Sequence, residues 1–198
     1  MDKEATSYFK RLYDLLLGTQ VTDGQSLTLP LDEGTDKVVR MILSVSSKPA
    51  KAMVIGNGGS AAIASHMQID LCNAVGVRVM DFNHAPLLTA LGNDHGYDCV
   101  FERPIELWAD PDDLLVAISS SGQSDNIIRA VKAAAVRGCQ IITLSGFNPE
   151  NPLRSLGNVN FYTPSSVYGY VESTHSALSH YLTDYAMLLR GEKKNSRD

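Results

Sequence analysis

The stretch that decides the fold is LLVAISSSGQS at residues 114–124, where a short apolar run passes directly into a turn of serines. Short apolar runs of this kind are typical of strands buried on both faces of a parallel sheet. The run AMVI at residues 52–55 leads into a glycine turn in the same way, and QIITL at residues 140–144 begins a further unit. Helical patterns separate these runs, over about residues 35–47 and 59–73 and through Ile127–Val131. The alternation predicts an α/β fold, with a parallel sheet that is flanked by helices on both faces.

The two ends of the chain add a predicted helix each. Residues 5–17 carry apolar side chains at helical spacing, which indicates an amphipathic helix, and the polar residues 18–34 predict a linker. We therefore divide the chain into an N-terminal helix and arm over residues 1–34, a main domain over residues 35–190 and a disordered tail over residues 191–198. A long helix from about residue 170 to 190 closes the main domain. An apolar helix on an arm typically packs against another element or another subunit, which favours an oligomer.

Composition and charge exclude several classes of protein. The 198 residues are 44% hydrophobic, enough to bury the core of one globular domain. A net charge of −5, from 17 basic and 22 acidic residues, argues against a nucleic-acid-binding protein. Three scattered cysteines do not make a disulfide framework, and no stretch approaches the roughly 18 apolar residues of a membrane span. With no apolar leader after Met1, these features predict a cytoplasmic protein that binds neither membranes nor nucleic acid.

Two turns that follow strands contain the residues most suited to bind a ligand, because ligands in such sheets bind beyond the carboxyl ends of the strands. The serine turn, residues 119–124, places four hydroxyls at a helix N-terminus: Ser119, Ser120, Ser121 and Ser124. Hydroxyls, backbone N–H groups and the positive end of a helix dipole can bind a phosphate monoester without a lysine. A single serine at such a place is more often a helix N-cap, and neither turn has the GxxxxGK[ST] pattern of a nucleotide triphosphatase.

The glycine turn, GNGGS at residues 56–60, lets the backbone approach a ligand closely and leads into a helix with free N–H groups. With Ala61 it also fits the dinucleotide pattern GxGxxA, and Asp81 follows about 25 residues after its first glycine, where a ribose-binding acid is expected. A dinucleotide-dependent oxidoreductase is therefore one alternative, although the serine turn has no role in it.

His66 and Asp70 lie four residues apart on the helix after the glycine turn and so share one of its faces. The last predicted helix adds Glu172, His175 and His180, and histidine with carboxylate is a ligand set that suits Zn²⁺. Glu172 and His180 are separated by about 12 Å and about 80° on a straight helix, so both reach one ion only if their side chains converge. His175 competes with them, although a histidine in helix packing is the more common case. An ordinary hydrogen bond between His66 and Asp70 is the alternative to a metal site.

A polar segment, Asn93-Asp94-His95-Gly96, follows the apolar residues 86–91. It predicts a turn, and the Asn93 and Asp94 side chains have the groups needed to hydrogen-bond sugar hydroxyls. An ordinary turn with no role in binding is the alternative for this segment.

Taken together, these motifs resemble the sugar isomerase (SIS) domain of phosphoheptose isomerases. The resemblance runs from about residue 35 to 190 and includes the N-terminal helical arm. It is specific because many motifs occur in order and at similar spacing: the glycine turn, His66, Gly92-Asn93-Asp94, the serine turn, Ile142-Thr143-Leu144-Ser145-Gly146, Glu172-Ser173-Thr174-His175 and His180.

The resemblance implies a flavodoxin-like SIS fold and an aldose–ketose isomerase that converts sedoheptulose 7-phosphate to D-glycero-D-manno-heptose 7-phosphate through an enediol. It also implies a homotetramer with active sites at subunit contacts, a Zn²⁺ cofactor, and a product used for the heptose of lipopolysaccharide or capsule. If the family's residue roles are carried over by position, the phosphate would be held by Ser119, Ser120, Ser121 and Ser124. The sugar site would be lined by Asn57, Gly58, Gly59, Ser60, Asn93, Asp94 and Glu172. The metal positions would be taken by His66, Asp70, Glu172 and His180, with Asp70 or Glu172 as the base and His180 as the acid.

Two carboxylates depart from the family pattern, which has Glu at the position of Asp70 and Gln at that of Glu172. Asp is one methylene shorter, and a displacement of about 1 Å can lower a catalysed rate about a hundredfold. Glu172 adds a negative charge that would strengthen zinc binding or replace the missing glutamate as base. The departures also leave an alternative function open, a non-catalytic SIS module that binds a sugar phosphate or a protein partner, as a replication-initiation regulator of the family does. The presence of both His66 and His180 argues against that alternative.

Overall fold

A sheet of seven strands lies at the centre of the computed structural model, which describes residues 4–195. The strands are β1 Gln20–Asp23, β2 Thr28–Leu29, β3 Ala52–Gly56, β4 Val79–Asp81, β5 Leu114–Ser119, β6 Gln140–Ser145 and β7 Val159–Tyr162. Their order across the sheet is β2-β1-β7-β6-β5-β3-β4. The five strands from β3 to β7 are parallel, whereas β1 and β2 are antiparallel to their neighbours. The prediction of a parallel sheet is confirmed, and its apolar runs at residues 52–55, 114–118 and 140–144 are the strands β3, β5 and β6.

Helices cover both faces of this sheet. Among the described residues they are α1 Ala5–Leu17, α2 Leu31–Ser46, α3 Gly59–Asp70, α4 Ala85–His95, α5 Glu102–Trp108, α6 Asp125–Val136 and α7 Tyr168–Asn195. Shorter helical turns lie at residues 71–75, 97–99 and 152–155. Two apolar layers result, because successive strand residues point to opposite faces. Val54 packs in the layer that includes residues of α2, α3 and α7, whereas Met53 and Ile55 pack in the layer that includes residues of α5 and α6.

The segment between α1 and α2 corrects one prediction. Instead of a linker over residues 18–34, the chain forms a hairpin whose strand β1 pairs with β7, from Gln20 opposite Tyr162 to Asp23 opposite Val159. The Asp23 carboxylate closes the hairpin turn by accepting hydrogen bonds from the N–H groups of Gln25 and Leu27, both at 2.9 Å. The polar residues thus serve a turn, and the hairpin covers the β7 edge that would otherwise be left unpaired.

The terminal helices differ from prediction mainly in length and packing. Helix α1 contacts α7, where the rings of Tyr8 and Tyr170 stack with centroids 4.5 Å apart. Helix α7 continues to Asn195, so the disordered tail that we predicted from residue 191 is wrong for residues 191–195, and residues 196–198 lie outside the described part of the chain. Within the described residues, no helix is both long enough and apolar enough to cross a bilayer.

Candidate active site

The carboxyl ends of β3 and β5 lie side by side, and the turns that follow them form the two walls of a cavity of about 260 Å³. Residues at the start of α7 form the rest of the cavity lining. The lining residues are Asn57, Gly58, Gly59, Ser60, Ser119, Ser120, Ser121, Ser124, Tyr168 and Glu172. The structure therefore brings all four predicted serines, the predicted glycine-turn residues and Glu172 into one cavity.

The serine turn has hydroxyls that the protein itself leaves available. Ser124 stands at the N-cap position of α6, yet its side chain makes no hydrogen bond to the helix and instead lies 3.4 Å from the Ser119 hydroxyl. The Ser120 hydroxyl is buried and has no hydrogen-bond partner among the described residues. N-capping therefore does not account for these hydroxyls, and a ligand with several oxygen atoms would satisfy them.

The glycine turn presents the N-terminus of α3 to the same cavity. Gly58 has φ +54°, and Gly59 and Ser60 begin the helix, where backbone N–H groups have no partner inside the helix. A side chain at Gly59 would overlap the carboxyl group of Glu172, so that glycine is what allows the carboxylate to lie against the helix terminus. Negative charge is favoured at this end of a helix. Glu172 thus contributes a carboxyl group to the cavity wall.

A second group lies where α3 and α7 pack together. His66, Asp70 and His180 each direct one ligand atom toward the others, and these three atoms all lie within 4.8 Å of one another. The Asp70 Oδ2 atom is 3.5 Å from His66 Nε2 and 3.5 Å from His180 Nδ1. Ligands of tetrahedral zinc are about 3.3 Å apart, and two histidines with one carboxylate leave a coordination position open. The three residues therefore fit a zinc site.

Two predictions for α7 are resolved by this geometry. Glu172 is not a member of the group formed by His66, Asp70 and His180, because it lies against Gly59, so the described chain brings together three of the four predicted metal ligands. His175 is fully buried, and its Nε2 atom lies 3.1 Å from the Ser145 carbonyl oxygen, to which it donates. Burial lowers the pKa of His175 to about 4. It is therefore a neutral packing residue.

The segment around Asn93 and Asp94 also differs from prediction. It is the last turn of α4 rather than a loop, and both side chains are exposed, with Asn93 Nδ2 donating to Asp94 Oδ1 at 2.9 Å. Neither residue lines the cavity formed by the serine and glycine turns. Their predicted role in sugar binding stays a prediction.

One residue of the cavity lining, Tyr168, was not found from the sequence. Tyr168 lines the cavity one helical turn before Glu172, a spacing of four residues that could have identified it.

Asp81, proposed for the dinucleotide alternative, is buried and accepts a hydrogen bond from the Ser65 hydroxyl at 2.5 Å. Its carboxylate is thus engaged inside the protein rather than offered to a ribose.

Comparison with known proteins gives consistent matches. The model of the SIS domain family matches residues 28–146. Phosphoheptose isomerases of Syntrophotalea carbinolica and Aliarcobacter butzleri are 37% and 34% identical to the chain, over 68% and 76% of it and 71% and 82% of their own lengths. The structure of phosphoheptose isomerase from Neisseria gonorrhoeae matches with 28% identity and a TM-score of 0.77, over 91% of this chain and 95% of that one. That from Francisella tularensis matches in fold, with 24% identity, a TM-score of 0.80 and coverage of 94% and 98%.

Proposed function

Because the chain belongs to the SIS domain family, we propose that it is a phosphoheptose isomerase that interconverts sedoheptulose 7-phosphate and D-glycero-D-manno-heptose 7-phosphate. The main observation behind this proposal is the composition of the cavity. Four serines, the N-terminus of α3 and the Glu172 carboxylate all line it. Relatives of this name support the sugar phosphate as the substrate class.

The phosphate binds at the serine turn. Ser119, Ser121 and Ser124 supply hydroxyls, and Ser120 supplies a buried hydroxyl that is otherwise unpaired among the described residues. Backbone N–H groups at the start of α6 add to the positive potential there. The sugar then extends toward the glycine turn and α7, where Asn57, Gly58, Gly59 and Ser60 line the cavity.

The isomerisation needs a base, an acid and stabilisation of an oxyanion. A base removes a proton from C1 of the ketose while an acid protonates the C2 oxygen, which gives the enediol. The proton returns to C2 while the C1 hydroxyl gives up its proton, and the aldose results. Of the two predicted bases, Asp70 and Glu172, we assign this role to Glu172, because its carboxyl group lines the cavity while Asp70 lies between two histidines. His180, on the same helix, would be the acid only where its Nδ1 atom holds no metal, because a ring nitrogen that binds zinc has no proton to donate.

His66, Asp70 and His180 would hold Zn²⁺, whose chemistry when bound is to stabilise negative charge on a substrate oxygen. Asp70 supplies the negative charge of this ligand set, and it is also the position at which the family resemblance gives Glu. The side chain of Glu172 lies against Gly59, which leaves it free for proton transfer.

We further propose that the protein is a cytoplasmic homotetramer whose product supplies heptose for lipopolysaccharide or capsule. The number of subunits and the pathway are proposed from the family resemblance alone. One structural feature supports assembly: α1 exposes Phe9, Tyr13 and Leu17.

An isomerisation assay with sedoheptulose 7-phosphate tests this function. We expect turnover by the purified protein, loss of turnover after chelation and recovery on addition of Zn²⁺. Ser124→Ala should weaken substrate binding, whereas Ser155→Ala, which removes an exposed hydroxyl bonded to the Pro152 carbonyl, should not. Binding of the sugar phosphate without turnover under any of these conditions would favour the non-catalytic SIS module instead.

A further inference from the structure

Two asparagine side chains connect the turns on either side of the cavity. Asn57 lies in the glycine turn, and Asn126 lies on α6, two residues after Ser124. Asn57 Nδ2 donates to Asn126 Oδ1 at 2.9 Å, and Asn126 Nδ2 donates to Asn57 Oδ1 at 3.0 Å. Asn126 is only 4% exposed and Asn57 is half-buried, so this pair of hydrogen bonds is partly shielded from solvent. It fixes the glycine turn relative to the helix that begins at the serine turn.

Tyr97 adds a third contact to the same amide. Its hydroxyl donates to Asn57 Oδ1 at 3.1 Å. A carboxamide has one oxygen with two lone pairs and one nitrogen with two hydrogens. Tyr97 and Asn126 use both lone pairs, and Asn126 uses one of the hydrogens. One Nδ2 hydrogen therefore remains on a side chain that lines the cavity.

The segment that carries Tyr97 is itself attached to α6. Arg129, one turn after Asn126, donates from Nε to Glu102 Oε2 at 2.7 Å and also pairs with the Asp98 carboxylate. Because Asp98 directly follows Tyr97, the helix that holds Asn126 also holds the turn of Tyr97. Both residues that hydrogen-bond to the Asn57 side chain are thus connected to α6.

We propose that Tyr97 and Asn126 are positioning residues, which hold the Asn57 carboxamide so that its remaining Nδ2 hydrogen is donated to an oxygen atom of the sugar. This inference rests on the proposed function, because it takes the ligand to be a sugar phosphate. Neither Tyr97 nor Asn126 lines the cavity, so each acts through Asn57. The phosphate, bound by the serine turn, does not depend on them.

Tyr97→Phe is the most informative variant, because the side chain is 58% exposed and loss of its hydroxyl creates no buried unpaired group on its own residue. We expect the Kd for sedoheptulose 7-phosphate, measured by calorimetry, to rise about three- to tenfold, the effect of one uncharged hydrogen bond. The Kd for inorganic phosphate should stay unchanged. Retention of the wild-type Kd for the sugar phosphate, or an equal loss for both ligands, would overturn the proposal.

The matched control is Tyr185→Phe. The Tyr185 hydroxyl also makes one hydrogen bond, to Asp36 Oδ1 at 3.1 Å, but it connects α7 to α2 away from the cavity. We expect this variant to bind both ligands as the wild type does, even if its stability falls. A loss of sugar-phosphate binding equal to that of Tyr97→Phe would show that general loosening, rather than positioning, is responsible.

Asn126→Ala and the double variant Tyr97→Phe/Asn126→Ala complete the test. We expect the two effects on sugar-phosphate binding to be non-additive, because both act on one amide. If Asn126→Ala does not fold, the comparison of Tyr97→Phe with Tyr185→Phe is sufficient to test the proposal.

A wild-type protein that binds the sugar phosphate without turning it over would refute the isomerase proposal but not the positioning role. A wild-type protein that binds neither ligand would refute both.

Discussion

Asp70 and Glu172 have different surroundings, and these surroundings suggest how the two carboxylates divide their roles. Asp70 is shared by two histidines, whereas Glu172 lies at a helix N-terminus inside the cavity. We expect Glu172→Gln to lower kcat about 100-fold or more without loss of zinc, the typical effect of removing a general base. Asp70→Asn should weaken zinc binding about tenfold or more, since even outer-shell partners of metal ligands have effects of that size. Turnover and metal content of each variant are the measurements.

A paired substitution sharpens this test. The double variant Asp70→Glu/Glu172→Gln rebuilds the arrangement that the family resemblance gives, with the longer carboxylate at position 70. If the two positions exchange roles, the double variant should be more active than Glu172→Gln alone. Wild-type kcat in both single variants would contradict the assignment of either carboxylate to the reaction.

His175 gives the protein a pH-dependent stability. Burial lowers its pKa from 6.5 to about 4 in the folded state, so the unfolded chain takes up a proton that the folded chain does not. Stability from this group is therefore present above about pH 6.5 and is lost as the pH falls toward 4. Between pH 7 and pH 5 we expect a loss of about 2 kcal/mol in the free energy of unfolding, measured in urea. His175→Gln, which can still donate to Ser145, should lack this loss, and an unchanged pH dependence would contradict the assignment.

Among the elements, the strands with continuous apolar runs were predictable and the strands that contain polar residues were not. β3, β5 and β6 are nearly uninterrupted apolar runs, a pattern typical of strands with helices on both sides. β7 has a polar residue, Asn160, in its centre, and this side chain is buried because Thr143 donates to its Oδ1 at 2.8 Å. In β1, Val21 is the only apolar residue. Such strands form because a neighbouring edge is available, and that edge is known only once the sheet has assembled.

The packing of β1 on α2 leads to a prediction about two glycines in helices. A Cβ at Gly34 would lie 2.5 Å from Val21 Cγ1, whereas a Cβ at Gly191 in α7 would meet nothing within 4 Å. Gly191→Ala should therefore stabilise the protein by about 0.5–1 kcal/mol, the usual gain in helix propensity. Gly34→Ala should instead destabilise it by about 1 kcal/mol, because overpacking outweighs that gain. Urea unfolding measures both, and equal stabilisation would mean that the hairpin does not pack on α2.

For the molecule as a whole, the sequence predicted which turns form the cavity but not how they are held together. Ser119 and Gly59 each lie at or just after the end of a strand, so the rule for parallel sheets places them at the same edge. The contact between Tyr97 and Asn57 joins residues 40 positions apart, and it depends on how a short helical turn packs on α6. The same holds for Glu172, whose position against Gly59 is set by the packing of α7 rather than by its spacing from His180.

The apolar stripe of α1 predicts how the whole molecule assembles. Phe9, Tyr13 and Leu17 follow one another at intervals of four residues, so they share a face, and they are 63%, 61% and 57% exposed. Large apolar side chains grouped in this way mark an interface. We expect the wild type to sediment as a tetramer and Tyr13→Glu to shift it to smaller species, because the substitution places a charge at the centre of the stripe.

Ser7→Glu is the control for that shift. It adds the same charge to α1 at an exposed position about 120° around the helix from Tyr13, so it should sediment as the wild type does. If the active sites lie at subunit contacts, as the family resemblance implies, Tyr13→Glu should also lose turnover per chain while Ser7→Glu retains it. Equal sedimentation of all three proteins would show that the stripe is not the contact. A dissociated Tyr13→Glu protein with full turnover would show that each chain contains a complete active site.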